Sequence, residues 1–246
     1  MNKKELLEID KSETVQFINK FDNLYEKKLS SFYYYPSVVR ISWFYKWLML
    51  NKKNFEFPKI CVAGGNKTEM ELKFLKYNHI FELDLSLNNK HDLNNKIEIY
   101  QTFDLVLSNQ VLEHLYDPLN YFWNLKNLSK KNAYVFLSVP HNQNVHGEDY
   151  GYYTSGYHIS TLYNLAEKFN FEIINYGEFG SAKCMTYTML GHLLNYNQLK
   201  RGIKTRLDIF SPLLCLTDGL NQNCKISKFF FKRNYITDYW ILLKNK

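Results

Sequence analysis

The chain has 246 residues, enough for one domain with decorations or one domain plus a small cap. Hydrophobic residues at 46% and charged residues at 22% exclude a disordered chain, and the aromatic content of 17% is high. A net charge of +7 suits phosphates, nucleic acid or an acidic membrane face, although a general lysine excess on solvated faces is the preferred explanation.

Residues 2–30 are charged and helix-favouring, with Leu6, Leu7, Ile9, Val15, Phe17, Ile18, Phe21 and Leu24 near helical spacing. Residues 32–50 are crowded with aromatics, from Phe32 to Trp47, and Pro36 interrupts them. Residues 1–57 therefore read as a helical, aromatic-rich cap, which could also act as a lid. The N-terminus lacks the apolar core of a signal peptide. The most apolar segment, Ile41 to Leu50, is about half the length a membrane span requires. Cys61, Cys184, Cys215 and Cys224 match neither a CxxC pair nor a zinc pattern, so a reduced, cytoplasmic protein is expected, with Cys61 as a buried thiol.

From Lys59 the period changes. Lys59–Ala63 is a short apolar run ending in Gly64-Gly65, the pattern of a buried strand and a turn. Residues 68–76 have helical character. Ile80–Asp84, Phe103–Leu107 and Tyr134–Val139 are strand-like, the last stopping at Pro140. Asp117 can N-cap a helix with Pro118 in its first position, and Leu119, Phe122, Trp123 and Leu128 offer an apolar stripe. A further helix starts at Ser160, with Leu162, Leu165, Ala166 and Phe169 at core spacing. Phe171–Tyr176 and Tyr239–Leu243 complete the strands. Alternating strands and helices predict an α/β, doubly wound, mostly parallel sheet across residues 58–246, interrupted by an insertion at about 181–232.

Such sheets bind ligands beyond the carboxyl ends of their strands, at the topological switch point. Gly64 and Gly65 follow the first strand, where glycine allows close backbone approach, although glycine there is also a common turn. No third glycine stands near Asn66 or Thr68, and no P-loop lysine follows. Asp84 ends the second strand about 20 residues later, the spacing of a carboxylate that accepts ribose hydroxyls; the alternative is an exposed turn aspartate. Asp92 could accept an adenine amino group.

The run Phe103 to Pro118, FDLVLSNQVLEHLYDP, resembles the central motif of the Rossmann-like, S-adenosylmethionine-dependent methyltransferases that act on small molecules and sugars. The Asp84-Leu85-Ser86 step, the strand ending Val139-Pro140-His141, and the step Tyr157 to Leu162 are similar to that pattern, over about residues 59–177 and the last strand. Val62 and Asn66 stand where the family usually has an acid and a glycine. The resemblance implies a seven-stranded Rossmann-like sheet with an antiparallel last strand, and S-adenosylmethionine as cofactor. It implies that Gly64 and Gly65 approach the methionine part and that Asp84, with Leu85 beside it, holds the ribose. Asn109 and Gln110 would line the pocket near the transferable methyl. Glu113 and His114 would lie in or beside the site, or serve as a helix start.

Methyl transfer to oxygen usually needs a base, and imidazole suits neutral pH. His141, His146 and His158 cluster after the strand ending at Pro140, with Glu148 and Asp149 among them. These residues could also bind a divalent metal, but the spacing is not diagnostic and none is expected. Tyr150, Tyr152, Tyr153 and Tyr157 give this loop an aromatic surface. The expected partner is a small-molecule substrate, phosphorylated or linked to a sugar nucleotide, such as a surface-polysaccharide precursor. Nucleic acid is the weaker alternative, because the chain has no separate RNA-binding module and only Arg40, Arg201, Arg206 and Arg233 as arginines. A non-catalytic binding protein of the same fold is a third reading.

Overall fold

A computed structural model describes residues 7, 13, 16, 17, 20, 35–51, 55–65, 69–141, 154, 156–180 and 238–246. The chain divides into two compact units. One comprises Met1–Leu7, Trp47–Gly177 and Tyr239–Lys246; the other comprises Glu8–Lys46 and Glu178–Asp238. The expected insertion at 181–232 lies outside the described residues, as do Cys184, Cys215 and Cys224.

Helix α1 (Tyr35–Leu50) takes up the later part of the aromatic run, with residues 35–46 in the second unit and 47–50 in the first, while Phe32, Tyr33 and Tyr34 lie outside the described residues. Val39, Ile41, Trp43 and Phe44 are buried around its whole circumference, the signature of a core helix rather than a surface one. Phe17 packs on Tyr45 with ring centroids 5.6 Å apart, and Lys46 pairs with Glu13 at 2.7 Å. No helix among the described residues is long and apolar enough to cross a membrane.

The first unit is built on the sheet. Its strands are β1 (Lys59–Ala63), β2 (His79–Leu83), β3 (Phe103–Asn109), β4 (Ser129–Pro140), β5 (Phe171–Phe179) and β6 (Asp238–Asn245). Their order is β2-β1-β3-β4-β6-β5. β1 pairs in parallel with both β2 and β3, and β3 with β4. Leu105, Val106 and Leu107 are wholly buried, as expected for a central strand covered on both faces. β6 runs the other way. Tyr239 at its start lies against His141 after β4, while the Asn245 amide at its end donates to the Ser129 carbonyl at the start of β4, at 2.7 Å. The expected antiparallel last strand is therefore present, and six of the seven expected strands lie among the described residues.

Two helices flank the sheet: α2 (Pro118–Leu128) and α3 (Ile159–Lys168). Asp117 caps α2 as the sequence predicts, its Oδ1 accepting from the Leu119 and Asn120 amides, both at 2.9 Å. The buried stripe differs from expectation. Tyr121, Phe122, Leu125 and Leu128 face inward, whereas Leu119 is 42% exposed and the Trp123 ring lies under the Lys96 ammonium. The expected helix over 68–76 contracts to a single 3₁₀ turn, Met70–Lys73.

No strand forms between Leu83 and Phe103, because side chains of α2 take over the backbone polar groups there. The buried Asn124 amide donates to the Leu93 and Asn95 carbonyls and accepts from the Ile97 amide. In return Asn94 Oδ1 accepts from the Tyr116 and Asp117 amides. This stapling holds the loop after β2 against the start of α2.

Candidate active site

The chain steps from β1 outward to β2, then crosses to the other side of β1 for β3, so the switch point lies between the carboxyl ends of β1 and β3. A buried hydrogen-bond chain fixes that point. The Tyr121 hydroxyl donates to Ser108 Oγ at 2.7 Å, and Ser108 Oγ donates to the Ala63 carbonyl at 2.7 Å. Burial pushes the Tyr121 phenol well above its ordinary range, so it remains a neutral donor. Gly64 follows at φ +79°, its amide donating to the Leu83 carbonyl at 2.7 Å. A Cβ on Gly64 would meet the Val111 γ-carbons at 2.5 and 2.7 Å, so the glycine is required both by backbone conformation and by the close packing of Val111.

Asp84 stands next to Leu83 at the end of β2 and is partly exposed. Its Oδ1 accepts from the Ser86 amide and hydroxyl, both at 2.8 Å, which closes a tight turn and fixes the carboxylate. Oδ2 has no hydrogen bond among the described residues and can accept one from a ligand. Leu85 is 50% exposed immediately beside it. Asp92 is placed differently: its two oxygens accept from the Asn94 amide and side chain and from the Asn95 side chain, so it organises its own turn.

At the end of β3, Asn109 is held from three sides. Its Nδ2 donates to Glu69 Oε2 at 2.9 Å and Glu71 Oε1 at 3.3 Å, and its Oδ1 accepts from Ser138 Oγ at 3.1 Å. Gln110 turns into the left-handed region at φ +55°, with its amide on the Ser138 carbonyl and its Nε2 on Ser138 Oγ. Beyond it Glu113 is wholly buried, and His114 Nε2 lies 3.8 Å from its Oε1. Burial, and then the charge of Glu113, raise the Tyr157 phenol above its ordinary range.

The histidines meet after β4. Gly156, at φ +125°, lies so close to Pro140 that an added Cβ would collide with the Pro140 carbonyl oxygen, and the Tyr157 amide donates to that same oxygen at 2.9 Å. His158 thereby reaches His141 with ring centroids 5.5 Å apart, and both rings pack on Tyr239. His158 caps α3: its Nδ1 accepts from the Ser160 amide at 3.2 Å, which leaves the proton of the neutral ring on Nε2. His141 carries no such duty. Burial, and then the neighbouring His158, lower its pKa below the ordinary imidazole value, so it is neutral and able to accept a proton at pH 7. His146, Glu148, Asp149, Tyr150, Tyr152 and Tyr153 lie outside the described residues.

Glu69 and Tyr239 were not legible as site residues. Neither sits directly after a strand, and each arrives through a long-range contact. A separate cavity of about 350 Å³, lined by Lys59, His79, Ile80, Phe81, Gln101 and Phe103, opens at the amino ends of β1, β2 and β3, away from the switch point. No group of metal-ligating side chains forms among the described residues.

A doubly wound, mostly parallel sheet with its switch point between β1 and β3 defines a Rossmann-like fold. Residues 50–176 match the model of the methyltransferase domain family, and the chain belongs to that family. Comparison with curated proteins gave no match. Among solved structures, a protein of Galdieria sulphuraria assigned as a sarcosine dimethylglycine methyltransferase is 10% identical, over 96% of this chain and 97% of that one, with a TM-score of 0.52. Phosphoethanolamine N-methyltransferase 2 of Haemonchus contortus, in complex with S-adenosyl-L-methionine, is 13% identical over 82% of this chain, with a TM-score of 0.43; the chain spans 52% of that protein. The O-methyltransferase of a trans-AT polyketide synthase of Brevibacillus brevis, in complex with S-adenosyl-L-homocysteine, is 12% identical over 99% of this chain and 82% of that one, with a TM-score of 0.45.

Proposed function

We propose that this methyltransferase uses S-adenosylmethionine to methylate an oxygen, or a nitrogen, of a small metabolite. The observation that carries the reading is the pair of groups at the carboxyl ends of the strands: Asp84, with Oδ2 open to a ribose hydroxyl, and His141, half-buried and neutral. The residues fit the donor. Asp84 and Leu85 would hold the adenosine, and the turn at Gly64 and Gly65 lies beside them. Bound there, S-adenosylmethionine supplies an electrophilic methyl group on a sulfonium. The chain's part is to align the acceptor in line with that methyl, exclude water and take up the acceptor's proton. His141 takes the proton on this reading. His158 caps α3 and holds the His141 ring in place.

A phosphorylated or sugar-nucleotide acceptor is the preferred substrate class, supported by the net charge of +7. Incubating the protein with labelled donor and fractionated cell extract, followed by mass identification of the product, tests the assignment. Phosphatase treatment of the extract should abolish the acceptor; labelling that survives it would point to an unphosphorylated acceptor instead. Failure of S-adenosylhomocysteine to bind at millimolar concentration would sink the donor assignment.

A further inference from the structure

Building on the donor assignment above, we infer that Glu69 is the anionic contact for the α-ammonium group on the donor's methionine part. The donor is unusual among nucleoside ligands in carrying two cationic centres, a sulfonium and an ammonium, and no phosphate. A carboxylate near the glycine turn would complement the ammonium of its methionine part. The residue in the strand itself cannot supply it, because Val62 is apolar and 1% exposed. Glu69 comes from outside the strand. Its Oε1 lies 2.9 Å from the place a Cβ on Gly65 would occupy, so the carboxylate stands on the face of Gly65 that a side chain would otherwise cover.

Its other oxygen, Oε2, accepts from Asn109 Nδ2 at 2.9 Å. Glu69 thus reaches from the turn after β1 to the end of β3, across the switch point. Asn109 is itself held by Ser138, so the carboxylate is oriented by a built network and not by a flexible stem alone. Glu71, whose Oε1 lies 3.3 Å from the same amide, is wholly buried and cannot meet a ligand arriving from solvent. Glu69 is partly exposed and can. The Glu69 backbone also fixes this turn, its carbonyl accepting from the Leu72 amide at 3.1 Å.

Two ligands separate this contact from the rest of the site. S-adenosylhomocysteine carries the ammonium. 5′-Methylthioadenosine keeps the adenosine and the sulfur and lacks the amino-acid part. Calorimetric titration of the full-length protein gives both affinities. Glu69→Gln keeps the size of the side chain and an oxygen that can still accept from Asn109. It should weaken S-adenosylhomocysteine about tenfold or more and leave 5′-methylthioadenosine within about twofold. Glu69→Asp, which keeps the charge on a shorter stem, should fall between. The ratio of the two affinities does not depend on the fraction of the variant that is folded. An unchanged ratio in Glu69→Gln overturns the inference. Wild-type protein that binds neither ligand overturns the donor assignment as well, and this outcome is distinct from the first.

Discussion

Replacing Gly64 by alanine tests how the floor of the site is built. The residue sits at φ +79°, and an added Cβ would approach the Val111 γ-carbons to 2.5 and 2.7 Å. Two separable costs follow. The left-handed conformation costs an L-residue about 1–2 kcal/mol. The overlap falls on Val111, which is buried at 7% exposure, and overpacking of this kind costs about 1–3 kcal/mol. The sum, about 2–5 kcal/mol, is a large share of the ~5–15 kcal/mol that stabilises a typical protein. A double-mutant cycle separates the terms. Val111→Ala alone removes two carbons of apolar burial, about 1.6 kcal/mol. In the double variant the overlap with the γ-carbons has gone, leaving the 3.2 Å approach to the residue 111 Cβ, the backbone term and the lost burial. The pair should therefore be less destabilised than the sum of the singles by about 1–3 kcal/mol. Urea unfolding followed by far-UV circular dichroism measures all four proteins. An additive cycle, or Gly64→Ala within about 0.5 kcal/mol of wild type, refutes the packing argument.

Asp84→Ala should weaken S-adenosylhomocysteine by about 1–3 kcal/mol through the loss of its acceptor oxygen, and unchanged calorimetric affinity removes Asp84 from the site. His141 acts on this reading as a neutral base, and its pKa is lowered by burial and by His158, so kcat/KM should rise along an acid limb lying below about pH 6.5 and then level off. The same shift bears on stability: the contribution of the neutral ring is complete above about pH 6.5 and is lost as pH falls through the lower folded value. His141→Asn should abolish the limb and reduce the acid sensitivity of unfolding. His158→Asn keeps an N-capping side chain and should keep the melting temperature, while the limb persists but moves toward higher pH because one cause of the lowered His141 pKa is gone; a loss of turnover equal to that of His141→Asn would make His158 the proton acceptor. Asp117→Ala removes the acceptor for two α2 amides and should cost about 1 kcal/mol in the same urea assay.

The sequence was most informative where one local cause decides the structure. β1 has the bounds expected from its apolar run, Lys59–Ala63, and α2 begins at Pro118 because Asp117 and Pro118 form a cap and a first turn within three residues. It was least informative where distant residues decide. β4 begins at Ser129, five residues before the expected Tyr134, directly from the end of α2. The Ser129 hydroxyl donates to the Leu125 carbonyl, and the Asn245 amide, 116 residues away in sequence, donates to the Ser129 carbonyl. Asp92 shows the same limit at the site. It was a candidate acceptor for an adenine amino group, and its oxygens serve a turn whose backbone is held by Asn124 of α2. His158, a candidate base by sequence, stands directly before α3 and caps it, its Nδ1 accepting from the Ser160 amide.

The capping pattern also bears on which ligands the carboxyl side of this sheet accepts. In doubly wound folds the amino ends of the helices point toward the ligand crevice, and their free amides and positive dipole ends suit phosphate. Here both described helices that follow a strand have those amides engaged by their own side chains. Asp117 takes two in α2 and adds a negative charge, and the His158 imidazole takes one in α3. The glycine turn is faced by Glu69, with Glu71 behind it. The described crevice thus presents carboxyl groups and capped helix ends rather than free amides, in a chain whose overall charge is +7. A pyrophosphate-bearing dinucleotide would meet carboxylates where it needs free amides, whereas a sulfonium and an ammonium meet what they need. Any phosphate on the acceptor would then have to be met by lysine side chains away from the helix ends. Donor and acceptor would be recognised by opposite fields, which keeps either from occupying the other's place.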